Sequence, residues 1–276
     1  LTLVYLIADI GGTKTRISVS EDLNSFTEPI INPTPKDYKD GLSFIRENAN
    51  ELVGDKKIEA VAIGITGTLN DEGNELELSP HLPFWTSMPL KHDLEEMFHC
   101  DVFLENDTAF VGLGEAVYGA GKNQKIVGYL TISTGIGGVV VIDKKIAEKT
   151  SGFEPGHQIL IVNEKQTTLE ELASGSGIFK KYGKNASDIK DMQTWNDILR
   201  YLAIGINNTI LHWSPNALII GGGLVNSNLI DIDKLNTELR KIYRVSSECP
   251  TIKQAELGDT GGLYGAMEYL KQTISK

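Results

Sequence analysis

Apolar positions along the chain fall into short runs separated by turn-forming residues, with helical spacing between them. Leu3–Ala8 and Arg16–Ser20 read as strands around a glycine-rich turn, and Phe26–Ile31 as a candidate third strand. In Asp37–Val53 the apolar residues Leu42, Ile45, Ala49, Leu52 and Val53 recur at the spacing of one helix face. Ile58–Ile65 is apolar enough for a buried central strand. Thr66–Pro83, rich in Gly, Asn and Pro, predicts one long loop. Pro89–Phe98 predicts a helix with proline at its start, Asp101–Leu104 a short strand, and Thr108–Tyr118 a helix. The pattern then restarts with strands at Ile126–Ile132 and Val139–Asp143 around a second glycine-rich turn. Helical patterns follow at Leu169–Ala173, Gly177–Lys181, Thr194–Trp213, Asp233–Tyr243 and Gly262–Ile274, with strands at Ala217–Ile220 and Thr251–Leu257. Alternation of this kind predicts an α/β protein.

The restart is an internal echo. LVYLIADIGGTKTRISVS and VGYLTISTGIGGVVVID share one plan, an apolar strand, a Gly-rich turn carrying Thr, and a second apolar strand. Two copies roughly half a chain apart suggest two similar lobes; two ordinary glycine hairpins would look the same.

Charge narrows the choice of partner. There are 26 Lys and Arg against 37 Asp and Glu, a formal net charge of −11, which repels phosphate backbones and anionic membrane surfaces. No nucleic-acid or membrane partner is expected. Two cysteines, Cys100 and Cys249, are too few for a disulfide framework or a multi-cysteine metal site, and read as free thiols of a reducing compartment. No apolar run reaches the ~18–20 residues of a membrane span. A soluble, cytoplasmic protein is the expectation.

The chemistry concentrates at the turns. In Asp9-Ile10-Gly11-Gly12-Thr13-Lys14-Thr15 the glycines let backbone N–H groups approach an anion, Thr13 adds a hydroxyl and Lys14 a positive charge. Asp9, at the strand end, suits a hydrated Mg²⁺ on phosphates. The turn lacks the GxxxxGK[ST] spacing of a Walker loop. Ser133-Thr134-Gly135-Ile136-Gly137-Gly138 is the second such turn, and Gly221-Gly222-Gly223 a third glycine run after a strand. Together they point to a nucleotide site. Asn106 and Asp107 close a short strand before a helix, where a carboxylate can take a proton from a hydroxyl. Asp107 is equally readable as a helix N-cap, and the dipole of the helix that follows is expected to keep it ionised. Glu154 and His157, in GFEPGH, could bracket one ligand or form a plain surface turn. Glu170 could join them or serve only as a first-turn helix glutamate.

These segments carry a resemblance. DIGGTKTR at 9–16, SPHLPFW at 79–85, LENDTA at 104–109, STGIGG at 133–138 and GFEPGH at 152–157 occur in order, extended by LASGSGI and NALIIGGG. The sequence resembles the ROK family of sugar kinases (repressor, open reading frame, kinase), in the superfamily of actin and hexokinase, over nearly the whole chain. The resemblance implies a two-lobed actin-like ATPase fold, ribonuclease H-like, of duplicated mixed-sheet domains with the active site in the interlobe cleft. The lobes would be residues 1–115 and 116–259, with a C-terminal helix at about 260–276 packing back on the first. It implies Asp107 as catalytic base, and Gly67, Asn106, Glu154, His157 and Glu170 around the sugar. Asp9, Gly11, Gly12, Thr13, Lys14, Thr134, Gly135, Gly137, Gly138, Gly222 and Gly223 would surround ATP. ATP and Mg²⁺ are the implied cofactors, and a homodimer the implied assembly.

The sequence departs from the family in three places. The family's CxCGxxGCxE stretch, whose cysteines bind a structural zinc, is replaced after His157 by QILIVNEKQTTLEE, so no zinc is expected. Without metal, Ile159–Val162 is expected to form a buried strand. The family's GIPGPVD is GITGTLN here, and its SPNLPGW-like stretch carries His81 and Phe84. The implied activity is ATP-dependent phosphorylation of a hexose, O6 of glucose first, with N-acetylmannosamine, mannose, allose and fructose as alternatives. A sugar-responsive repressor would need a helix-turn-helix ahead of the DIGGTK motif, which begins at residue 9.

Overall fold

The structure, a computed structural model, describes residues 2–148, 152–246 and 249–274. The chain divides into two compact units. The first comprises Leu1–Gly114, Glu148–Gly152 and Asp259–Lys276, the second Glu115–Ala147 and Phe153–Gly258.

The first unit is built on β1 (Leu3–Ile10), β2 (Lys14–Ser20), β3 (Ile30–Pro33), α1 (Tyr38–Val53), β4 (Lys57–Ile65), β5 (Thr68–Leu69), β6 (Leu76–Leu78), α2 (Leu90–Phe98), β7 (Asp101–Asn106) and α3 (Asp107–Val117), whose last residues, from Glu115, fall in the second unit. Its sheet runs β3-β2-β1-β4-β7, antiparallel at β1–β2 and β2–β3, parallel at β1–β4 and β4–β7. β1 and β4 lie inside it and are apolar on both faces, as central strands covered on both sides must be. Asp37 caps α1 by accepting the N–H groups of Lys39 and Asp40, and Gly54 ends that helix at φ 59°.

The second unit contains β8 (Ile126–Ile132), β9 (Ile136–Ile142), β10 (Lys145–Ile146), β11 (Ile159–Val162), β12 (Lys165–Thr168), α4 (Leu169–Ala173), α5 (Gly175–Tyr182), α6 (Met192–Trp213), β13 (Ala217–Gly221), α7 (Gly223–Asn226), α8 (Ile232–Ile242) and β14 (Thr251–Gln254). Its sheet order is β10-β9-β8-β13-β14, with the same sequence of antiparallel and parallel pairings as the first. The internal echo is therefore a duplication of a whole sheet plan. Each unit has its own core, one around Leu6, Ile63 and Trp85, the other around Ile132, Leu202 and Ile220.

The C-terminal helix, Gly261–Ile274, belongs to the first unit and packs on β1 and β4. The expected last residues of this helix, 275 and 276, lie outside the described residues. Where it meets α3 the backbones nearly touch, since a Cβ on Gly265 would stand 1.8 Å from the carbonyl oxygen of Phe110. Backbone cannot yield as a side-chain tip can. Gly265→Ala is expected to destabilise the protein by about 3 kcal/mol through overpacking, read as a lower urea midpoint with an unchanged slope. A midpoint equal to wild type would show that the helices slide apart at no cost.

Four expectations are corrected. Thr66–Pro83 is not one loop: it contains the β5–β6 hairpin, and Pro83–Trp85 is a 3₁₀ turn. β9 begins at Ile136, so Gly137 and Gly138 are strand residues paired with Thr131 and Leu130, not part of the turn. β14 stops at Gln254 because the N–H groups of Glu256 and Leu257 go to the fully buried Glu115 carboxylate, at 2.9 and 2.8 Å, which also accepts from Ala120. Ile159–Val162 does form a strand, but in a two-stranded hairpin with β12. Its alternate residues face water, with Ile159 and Ile161 exposed at 64% and 75%, while Leu160 is buried.

Candidate active site

In the first unit the β1–β2 register places Asp9 opposite Arg16. Arg16 reaches Asp9 through Nη1 at 3.2 Å and Asp259 through Nη2 at 2.9 Å, while its buried Nε has no partner among the described residues. Burial, then the neighbouring Asp107, push the Asp9 carboxyl up to about 7, with Arg16 opposing. The glycine turn after Asp9 is held by one bond of its own and by donors from Thr34 and Lys36. Gly11 N–H donates to Lys14 O at 3.0 Å, so that amide is not an anion donor, and Thr34 and Lys36 donate to the carbonyls of Gly11 and Gly12. Gly12 is required for space: a Cβ there would lie 2.5 Å from the Cβ of His81. Thr13 and Lys14 complete the turn into β2, Thr13 O accepting from Thr34 N–H at 3.0 Å.

Asp107 opens α3 but is not its cap. Asn106 Oδ1 accepts the N–H of Ala109 at 3.3 Å, the bond an N-cap makes, while Asp107 Oδ1 accepts from its neighbour Thr108 at 2.7 Å. The Asp107 carboxyl is half-buried and is held above the usual carboxylate range, by burial first. Thr108, the Thr66 side chain and His81 act in the opposite direction. Desolvation outweighs the helix dipole in setting the direction of that shift. Asn106 also donates through Nδ2 to Gly67 O at 2.8 Å. Gly67 sits at φ 126°, and a Cβ there would stand 2.6 Å from Leu78 O, so only glycine fits. Thr66 was not foreseen as a contact of Asp107. Its only signal was a hydroxyl residue at the end of an apolar strand, beside Gly67.

In the second unit, Glu154, His157 and Glu170 gather at Ile136. Pro155–His157 is a 3₁₀ turn pressed on the glycine turn, with the Gly156 Cβ position 2.3 Å from Ile136 O. Glu170 Oε2 accepts the N–H of Ile136 at 2.8 Å, and a Cβ on Gly135 would strike that same oxygen at 2.6 Å. Glu154 is held above its ordinary range by desolvation of its carboxyl, with His157 countering and Glu170 adding to the rise. Glu170 therefore braces the turn as well as facing Glu154.

A cavity of about 510 Å³ in the same unit is lined by Ser133, Thr134, Ser176, Asn185, Ser187 and Gly223, with Phe179, Leu224 and Leu229 as its apolar wall. Ser174 caps α5, and Gly175 and Ser176 donate to the carbonyls of Ser133 and Thr134, so the first amides of α5 already have acceptors. Thr134 and Gly223 are among the residues expected around ATP, and Ser133 opens the same turn; Ser176, Asn185 and Ser187 are not, although the SGSG run at a helix start is a visible signal. Gly222 turns the chain at φ 97° beneath Ile132. Gly138 lies away from this cavity's lining, where packing against Trp213, Leu130 and Pro155 accounts for its lack of a side chain.

The chain is similar to known proteins over nearly its whole length. The chain is 28% identical to an N-acetyl-D-glucosamine kinase of Vibrio atlanticus, covering 95% of this chain and 98% of that one. It is 25% identical to a glucokinase of Streptomyces coelicolor, over 96% of each. The crystal structure of a ROK hexokinase from Thermus thermophilus superposes with a TM-score of 0.83 at 26% identity, covering 98% of this chain and 99% of that one. Residues 5–273 match the family described as ROK, a span that takes in both glycine turns, Asp107 and the GFEPGH segment, and the chain belongs to the ROK family.

Proposed function

We propose that this protein is an ATP-dependent hexose kinase that phosphorylates a sugar hydroxyl, O6 of glucose first. The observation that carries the proposal is Asp107, a half-buried carboxyl at the end of an apolar strand, held by Thr66 and Thr108 and freed from capping by Asn106. It takes the proton of the sugar hydroxyl while that oxygen attacks the γ-phosphorus of ATP. The bond from phosphorus to the β–γ bridging oxygen breaks, and ADP leaves with the electron pair. Glu154, His157 and Glu170 bind sugar hydroxyls, and Asn106 adds what remains of its amide. The serine- and threonine-lined cavity takes the nucleotide, its apolar wall receiving the base.

Asp9 fits a Mg²⁺ held through water. It is a buried carboxyl pushed up to about 7, facing Asp107 with only Arg16 to offset it. Among the described residues no three His, Cys, Asp or Glu groups form a closed cage. One or two carboxylates completed by water and phosphate is the donor set Mg²⁺ takes. When bound, the ion supplies charge neutralisation on the phosphates.

A coupled assay of ADP release across a hexose panel tests the reading. Glucose is expected to give the highest kcat/KM. Amino sugars belong in the panel because a relative at 28% identity is an N-acetyl-D-glucosamine kinase. A higher value with an N-acetylated sugar would move the substrate, and no turnover with any sugar would overturn the kinase reading. His157→Ala is expected to raise KM for the sugar roughly ten-fold, with KM for ATP nearly unchanged, because a hydroxyl loses one hydrogen-bond partner. Equal losses for both substrates would point to misfolding instead.

A further inference from the structure

Thr34, Pro35 and Lys36 of the first unit bond to two separate loops. Toward the β1–β2 glycine turn, Thr34 N–H donates to Thr13 O at 3.0 Å, its hydroxyl to Gly11 O at 2.7 Å, and Lys36 Nζ to Gly12 O. Toward the loop 79–85, Pro35 O accepts the indole N–H of Trp85 at 3.3 Å, and Lys36 Nζ donates to His81 O at 3.3 Å. The loop lies directly on the turn, since the Cβ position of Gly12 is 2.5 Å from that of His81.

The other end of the loop is tied down as well. Ser79 Oγ donates to Thr66 O at 2.7 Å, Thr66 N–H donates to Ile10 O at 3.0 Å, and the Thr66 side chain bonds Asp107. Ile10, Gly12, Lys36, His81, Ser79 and Thr66 thus form a closed ring of chain and hydrogen bonds, with Asp107 attached to it. Within this ring, Lys36 is the side chain that bridges the phosphate turn to the loop, and it does so from an exposed position.

We propose that Lys36 is a positioning residue, which by gripping the carbonyls of Gly12 and His81 together fixes the loop 79–85 against the glycine turn beside Asp107. The inference rests on the kinase reading of the same site. An ammonium has three donors and can serve two carbonyls at once, which no neutral side chain of that length does. His81, whose charge bears on the Asp107 carboxyl, has its backbone held in place by the same grip. A displacement of about an ångström between acceptor and phosphate is enough to cost up to about a hundred-fold in rate.

The test compares Lys36→Met, Lys36→Arg and, as control, Lys39→Met in the full chain. Two readouts are taken: steady-state kinetics, and hydrogen exchange of the segments 10–14 and 79–86. Lys36→Met is expected to lower kcat by roughly ten- to hundred-fold and to speed exchange in both segments together. Its melting temperature is expected to stay within about 2 °C of wild type. Lys36→Arg is expected to restore most of both losses, and Lys39→Met to change neither. Unchanged exchange in Lys36→Met would overturn the proposal, as would faster exchange with wild-type kcat, or a uniform loss with a fallen melting temperature that Arg does not rescue. A wild-type chain that phosphorylates no sugar would defeat the kinase reading and positioning for catalysis with it; exchange would then still decide whether Lys36 ties the two loops.

Discussion

Asp107→Asn is expected to lower kcat by roughly 10²–10⁴, about 3–5.5 kcal/mol of barrier, with little change in melting temperature or ATP binding. The amide keeps the shape of the carboxyl and can accept from Thr108, but it cannot take the proton of the attacking hydroxyl. The start of α3 is untouched, because Asn106 and not Asp107 accepts the Ala109 amide. The pH profile gives a second handle. Burial raises the Asp107 carboxyl above its ordinary range, so the base is lost by protonation at a higher pH than a surface carboxylate would be. In the wild type kcat is expected to fall as pH drops through that raised value, and the residual activity of Asp107→Asn should lack that limb. A variant that keeps most of its activity would remove Asp107 from the chemistry.

Asp9→Asn is expected to separate stability from function. The Asp9 carboxyl rises from 3.8 to about 7 on folding, so the folded chain holds this proton more tightly than the unfolded one. The contribution is fully present below pH 3.8 and is lost as pH climbs through about 7. Its size is about 4 kcal/mol, with burial as the largest cause. Urea midpoints measured from pH 4 to 8 on the ligand-free protein should therefore fall more steeply in wild type than in Asp9→Asn. At pH 8 the variant should be the more stable of the two, and the less active. Parallel curves would mean that Asp9 stays ionised throughout.

The sheets were legible because central strands such as Ile58–Ile65 are apolar without interruption, and because the glycine turns after β1 and β8 stand at matching places in two similar segments. Less was legible where a residue serves by contact across the sequence. Thr66–Pro83 reads as loop by composition, yet Leu76 is fully buried and pairs with Leu69 across a short hairpin. Gly138 looks like a turn glycine beside Gly137, and only the Trp213 ring above it shows why it lacks a side chain. The apolar run Ile159–Val162 suggests burial, but a two-stranded hairpin has one face to cover and one to spare. Of the candidate site, the carboxylates and glycines were visible as residue types at strand ends. The grip of Lys36 on two carbonyls was not, because backbone acceptors leave no mark in a sequence.

Glu115 has a consequence for how this chain is threaded. The second unit starts at Glu115 and ends at Gly258, and the Glu115 carboxylate bonds the amides of residues 256 and 257. In the first unit the flanking ends are neighbours too, since the Gly114 Cβ position is 2.5 Å from Gly261 O. Apart from the excursion at Glu148–Gly152, the second unit is a parenthesis inserted into the first, its opening and closing marks pinned side by side. Loss of the Glu115 carboxylate is therefore expected to loosen the start and the end of the second unit together.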